Sequence, residues 1–183
     1  MKKHLFLLPL LTITLQSRAM DVQDEFFTAV LNQNSKKVSD LLKNPLVDVN
    51  KPTTPQFERV EAGTPALHIA ARWGKGDVPT LKILLAAGAN VNATDPEWGR
   101  TALFEAATPE VALFLLQHGI DPSIRDASGE TAIESLAKTI KRDINNPIFG
   151  NIIFRKAQIK KTIEKYTKPE FSVKEVIEAE KQS

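Results

Sequence analysis

The chain has 183 residues, 42% hydrophobic and 25% charged, a balance that fits one soluble domain with its own core and excludes a disordered tail or a polytopic membrane protein. Cysteine is absent, which excludes disulfides, thiolate metal sites and a cysteine nucleophile. The formal charge of +2 changes once the first 19 residues are set aside: they hold Lys2, Lys3 and Arg18 and no acid, leaving 21 basic against 22 acidic residues, so bulk charge gives no reason to expect a nucleic-acid partner.

Met1 to Ala19 reads as a secretory signal peptide. Lys2 and Lys3 precede an apolar stretch from Leu5 to Leu15, and Ser17-Arg18-Ala19 places small residues at −3 and −1 of a cleavage after Ala19. The stretch falls short of the roughly 20 residues a spanning helix needs. Its simple layout looks bacterial, so the expected location is the periplasm. No stable membrane insertion is expected.

Asp24 to Leu31 and Lys36 to Leu42 follow as two short helices. Lys51 to Ala62, with Pro52 and Pro55, makes a long loop. A phrase then recurs: Gly63-Thr-Pro-Ala-Leu-His-Ile-Ala-Ala71, Gly99-Arg-Thr-Ala-Leu-Phe-Glu-Ala-Ala107 and Gly129-Glu-Thr-Ala-Ile-Glu-Ser-Leu-Ala137. The glycines are 36 and 30 residues apart, the spacing of a stacked-repeat protein. A second phrase, Leu84-Leu-Ala-Ala-Gly-Ala-Asn-Val-Asn-Ala-Thr-Asp95, returns as Leu115-Leu-Gln-His-Gly-Ile-Asp-Pro-Ser-Ile-Arg-Asp126. A fainter copy is Leu41-Leu-Lys-Asn-Pro-Leu-Val-Asp-Val-Asn50. Gly88 and Gly119 end helices where positive φ is needed. Val91 and Ile124 are expected to point inward beneath a turn. Pro79 is expected to open one helix, and Thr108-Pro109-Glu110 reads as N-cap, N1 proline and first-turn acid of another. A helix is expected over 132–143, broken by Asn145-Asn146-Pro147, then a closing helix over 151–166. Ser172-Val-Lys-Glu175 is a capping-box signature for a short tail helix.

These phrases resemble the ankyrin repeat, whose pattern runs glycine, Thr-Pro-Leu-His, paired alanines, a second helix ending in Leu-Leu, then Gly-Ala-Asp-Val-Asn. The resemblance covers roughly 24 to 140. It implies an all-α solenoid of about four helix-turn-helix repeats with β-turn fingers and a C-terminal capping helix. The repeats fall near 24–50, 61–95, 97–126 and 127–166, with a tail over 167–183. Departures are visible. Pro65 takes the threonine position of the second repeat, so the side-chain bond that threonine makes is lost. Only His68 keeps the family histidine; Phe104 and Glu134 replace it. The third repeat's inter-helix loop is about three residues short. Asp95-Pro-Glu-Trp-Gly99 carries one extra residue at its finger.

No catalytic constellation emerges. The chain beyond residue 19 has two histidines, His68 and His118, without metal-ligand spacing. His68 suits a structural hydrogen bond and His118 a helix end. No catalytic, cofactor-binding or metal residues are assigned, and no cofactor is called for. Charge is unevenly spread: residues 20–137 hold 10 basic and 16 acidic residues, and residues 138–183 hold 11 and 6. The closing helix carries Arg155, Lys156, Lys160, Lys161 and Lys165, which reads as a solvated face, with contact to an anionic lipid or an acidic partner as the other reading.

The resemblance implies a protein-binding surface on fingers and first helices. Carried over position by position, it comprises Arg72, Trp73, Glu97, Trp98, Arg100, Arg125, Ser128 and Glu130, with Phe57, Arg59 and Glu61 in the first finger. The expectation is a non-catalytic periplasmic binding module, monomeric, acting as an immunity protein against a toxic effector. A second reading is an accessory protein: the chain also resembles periplasmic ankyrin proteins that support a resident enzyme such as catalase in oxidative-stress defence. A third is an enzyme whose residues converge only in three dimensions.

Overall fold

A computed structural model describes residues 22–54, 60–73, 78–144 and 150–168. Among them are seven helices: α1 (22–31), α2 (Ser35–Leu41), α3 (Ala66–Trp73), α4 (Pro79–Ala86), α5 (Pro109–Gln117), α6 (Ala132–Asp143) and α7 (Gly150–Thr167). The described residues contain no strand, only an isolated antiparallel bridge between Thr94 and Thr101. The architecture is an all-α repeat solenoid.

Local chemistry sets the helix ends. The Asn34 side chain accepts from Lys37 N–H at 3.0 Å and starts α2. Thr108 is extended, its hydroxyl accepts from Val111 N–H at 3.3 Å, and Pro109 supplies a pre-set φ for the first turn of α5. Thr131 and Glu134 form a reciprocal capping box at α6. The helices α4 and α5 end at Gly88 and Gly119, with φ of +87° and +86°. There Ala89 and Ile120 N–H groups reach back to the Leu84 and Leu115 carbonyls at 3.0 and 3.1 Å, which satisfies the orphan acceptors of the last turn.

Packing gives one continuous core. Phe26, Phe27 and Val30 of α1 meet Val38 of α2, then Leu67 and Ile69 of α3, Leu81 and Leu84 of α4, and Val111 and Leu115 of α5. Ile159 and Ile163 of α7 complete it. The small Ala66, Ala70, Ala71, Ala102 and Ala112 are buried, which lets neighbouring segments approach closely.

Two local expectations need correction. The third repeat does not keep a full first helix with a short loop. Residues 101–106 form consecutive tight turns instead, with Phe104, Glu105 and Ala106 N–H groups donating three residues back, to Thr101, Ala102 and Leu103. Thr108 must be extended ahead of Pro109, so too few residues remain for α-helical bonds. Ala107 N–H instead reaches the Ala71 carbonyl of the preceding repeat at 3.1 Å. Val91 is half-buried and packs against the core as anticipated, whereas Ile124 is half-buried and is not among the residues packed there; in register Val91 matches Pro122, and Ile124 matches Ala93.

Candidate functional site

The fingers are held by buried aspartates. Asp95 N–H donates to the Arg100 carbonyl at 2.9 Å. The Asp95 carboxylate accepts from Trp98 N–H at 2.6 Å and Arg100 N–H at 3.1 Å. In the next finger Asp126 N–H donates to the Glu130 carbonyl at 2.9 Å, and its carboxylate accepts from Ser128 and Glu130 N–H at 2.9 and 3.1 Å. The first pairing spans five residues and the second four, which is the extra finger residue anticipated from sequence. In the first finger Thr53 stands at the aspartate position, and its hydroxyl accepts from Thr64 N–H at 2.9 Å.

Successive fingers are tied together. Ala127 N–H donates to the Trp98 carbonyl at 2.7 Å. Asn50 donates to the Gly88 carbonyl at 3.0 Å and accepts from Asn90 N–H at 2.8 Å. Asn92 repeats this one unit on, donating to the Gly119 carbonyl at 3.4 Å and accepting from Asp121 N–H at 2.7 Å. Each clamp satisfies a carbonyl at the end of a helix, so each finger is held in register against the helices that follow it.

His68 performs the same task inside. Nε2–H donates to the Arg100 carbonyl at 2.7 Å, which fixes the tautomer and leaves Nδ1 as an unprotonated acceptor. Nδ1 is buried with no partner among the described residues. Pro65, at the position where the repeat pattern carries threonine, has no hydroxyl to offer it. Burial lowers the His68 pKa below its ordinary 6.5, against the bond to Arg100 and the charges of Asp95 and Glu105. His118 Nδ1 bonds the Phe114 carbonyl at 2.8 Å at the end of α5.

Above His68 the structure brings Arg72, Glu97, Trp98 and Arg100 together. Arg72 Nε donates to Glu105 at 2.7 Å and Nη1 to Glu61 at 3.1 Å. The hydrogen bond to Glu105 is the main cause that raises the Arg72 pKa. Arg100 stacks over the Trp98 ring with its guanidinium carbon 5.4 Å from the centroid, and lies 5.8 Å from that of Phe104. Arg100 Nε also donates to Asp126 at 3.3 Å. Burial would raise the Asp126 pKa, but the Glu130 and Ser128 N–H groups and Arg100 hold it below the ordinary range. The hollow between Glu61, His68, Arg72, Glu97 and Trp98 has a volume of about 10 Å³, room for about one water and no small molecule. The arrangement offers a contoured surface rather than a pocket.

The remaining anticipated residues separate from this group. Trp73 is 39% exposed at the end of α3. Arg125 turns toward α6, donating to the Gly129 carbonyl at 2.6 Å and to Glu134 at 2.8 Å. Glu130 pairs with Lys138 at 2.7 Å. Ser128 is exposed. Phe57 and Arg59 lie outside the described residues. Sequence reasoning missed Glu105 and Phe104 as members. Their signal was the second of the three glycine phrases, where Phe104 occupies the histidine position with Glu105 beside it.

Residues 26–126 match the family model for ankyrin repeats, in three copies. The chain belongs to the ankyrin-repeat family. It is 34% identical over 110 residues to mouse Rabankyrin-5, covering 55% of this chain and 9% of that protein. It is 32% identical over 122 residues to human Rabankyrin-5, covering 62% and 10%. A putative ankyrin repeat-containing protein of Treponema pallidum (strain Nichols) is 38% identical over 74 residues, covering 39% and 24%. The chain thus spans about a tenth of the Rabankyrin length. Ankyrin repeats are protein-interaction modules and the family is generally non-catalytic. No helix among the described residues is long and apolar enough to cross a membrane.

Proposed function

We propose that this chain is a non-catalytic, periplasmic protein-binding module that grips its partner through Trp98 and the charged residues around it. One observation carries the reading. Trp98 is 47% exposed, yet its backbone is fixed on both sides, its N–H donating to Asp95 and its carbonyl accepting from Ala127 N–H. Arg100 stacks against the ring. An exposed aromatic already held in place loses little freedom on binding, and Trp and Arg dominate interface hot spots. The nearby charges are paired with one another across repeats, which presets the surface and lowers the desolvation cost of covering it.

The partner proposed is a toxic effector, with this chain as its immunity protein. The leader-like pattern of the first 19 residues and the pre-set exposed face support that role. The test is cross-linked capture from the periplasm with tagged wild type and with Trp98→Ala, then mass spectrometry. The expected result is one toxin or hydrolase lost in the variant, and rescue of cells making that protein when this chain is co-expressed. A resident redox enzyme such as catalase, together with peroxide sensitivity of a deletion strain, would replace immunity with the accessory role. Equal capture by wild type and variant would overturn the assignment to this face.

A further inference from the structure

We propose that the outer face of α7 docks on the surface of an anionic lipid bilayer. Helical spacing sets the stripe that carries this contact. Ile159 and Ile163 are buried where α7 packs on α5 and α6. Phe154, Lys161, Lys165 and Lys168 stand at i, i+7, i+11 and i+14, a stripe about 21 Å long on the far side of the helix. All four are exposed, Phe154 by 66%. Ile144 at the end of α6 and Ile152 in the first turn of α7 are 61% and 50% exposed. Three of the six exposed large apolar side chains among the described residues thus fall within 144–154, where the basic stripe begins.

Charge decides the occupant. Residues 138–168 carry nine Lys or Arg and two acids. Both acids are engaged, Asp143 with Arg142 at 2.7 Å and Glu164, the one acid of α7, with Lys160. Arg155, Lys161 and Lys168 make no ion pair among the described residues, whereas Arg72, Arg100 and Arg125 all pair with acids of the repeats. Residues 20–137 hold 10 basic and 16 acidic residues. An anionic surface therefore repels the repeats and attracts the closing helix, which orients the chain. Basic residues with exposed Phe and Ile beside them are the composition of an interfacial contact. None of the stripe residues lines the cleft between α6 and α7. A flat row of cations suits a layer of headgroups, which needs no matching shape, better than an acidic protein, whose anchors need pockets. The contact is peripheral, because no helix among the described residues is long and apolar enough to cross a membrane.

The test uses the full chain with vesicles of phosphatidylcholine containing about 30% phosphatidylglycerol, beside vesicles of phosphatidylcholine alone. Flotation is expected to recover roughly tenfold more protein with the anionic vesicles, and about 1 M salt is expected to remove the difference. Lys161→Glu with Lys168→Glu is expected to bring recovery down to the level of neutral vesicles, with an unchanged circular-dichroism spectrum. Phe154→Trp is expected to show a blue shift of tryptophan emission beyond that of wild type when anionic vesicles are added. Equal recovery with both vesicles, or equal recovery of wild type and the charge variant, would place the attraction elsewhere, for example in the apolar stretch from Leu5 to Leu15, and overturn the proposal. So would the absence of an extra shift in Phe154→Trp. Binding to soluble polyglutamate without binding to vesicles would assign the stripe to an acidic protein and overturn it too.

Discussion

The middle of the stack and its C-terminal end follow the same helix-pair plan but bury it differently. Helix α3 buries Ala66 to Ala71, and α5 buries Val111, Ala112, Phe114, Leu115 and Leu116. Helix α6 buries only Ala132, though its apolar residues recur at helical spacing. The middle has a neighbour on each side; α6 has α7 and open cleft. Helix composition alone therefore does not decide burial in a solenoid, because each repeat borrows its core from the next.

A matched pair of truncations separates the two regions most strongly. Leu115→Ala removes a fully buried side chain and is expected to cost about 3–5 kcal/mol in chemical denaturation. Ile140→Ala, on the half-covered end, is expected to cost about 1 kcal/mol or less, since less area is lost from the core. Equal costs would mean that the end is as tightly packed as the middle.

The second pair separates backbone from contact. Gly63 and Gly88 have φ of +89° and +87°. An added Cβ at Gly63 would run into the Pro96 ring of the next finger, whereas at Gly88 it meets nothing within 4 Å. Gly88→Ala is expected to cost about 1–2 kcal/mol from the left-handed conformation alone. Gly63→Ala adds overpacking of about 1–3 kcal/mol. Denaturation midpoints that match would show that the first and second fingers do not press together.

A smaller effect is expected at His68. Its folded pKa is depressed, so the folded state holds fewer protons than the unfolded chain as pH falls. The associated stability is present above about 6.5 and is lost as pH drops through the folded value. Denaturation between pH 7.5 and 5 checks this: wild type should weaken below about 6.5, and His68→Gln should show a flatter profile. Pro65→Thr supplies a hydroxyl for Nδ1 and an N-cap for α3, each worth about 1 kcal/mol. Against this stands the lost rigidity of proline, about 0.4–1 kcal/mol. A net gain of about 1 kcal/mol is expected, read as a higher denaturation midpoint.

Much of the fold was legible because its signals are local. The span 132–143 follows from Thr131, Glu134 and the break at Asn145-Asn146-Pro147. The glycines at 88 and 119 mark chain reversals by their own sterics. The candidate site was only partly legible. Arg72 with Glu105, and Arg100 with Asp126, are 33 and 26 residues apart, and no single-sequence pattern pairs them. The collapse of 101–106 into turns also escaped, since the repeat pattern there is intact and only the count before Pro109 reveals the shortage. Arg125 and Trp98 both occupied plausible finger positions, but the capping acid Glu134 draws Arg125 away.

Binding through a pre-set Trp98 is the feature on which the proposed function stands. The most direct measurement is calorimetric titration of the captured partner against wild type, Trp98→Ala and Phe154→Ala, the last being 66% exposed on α7. Trp98→Ala is expected to weaken binding by about 2 kcal/mol, roughly 30-fold, with an unchanged melting curve and with Phe154→Ala binding as wild type. Wild-type affinity in Trp98→Ala, or a loss confined to Phe154→Ala, would contradict it and move the interface to the end of the stack.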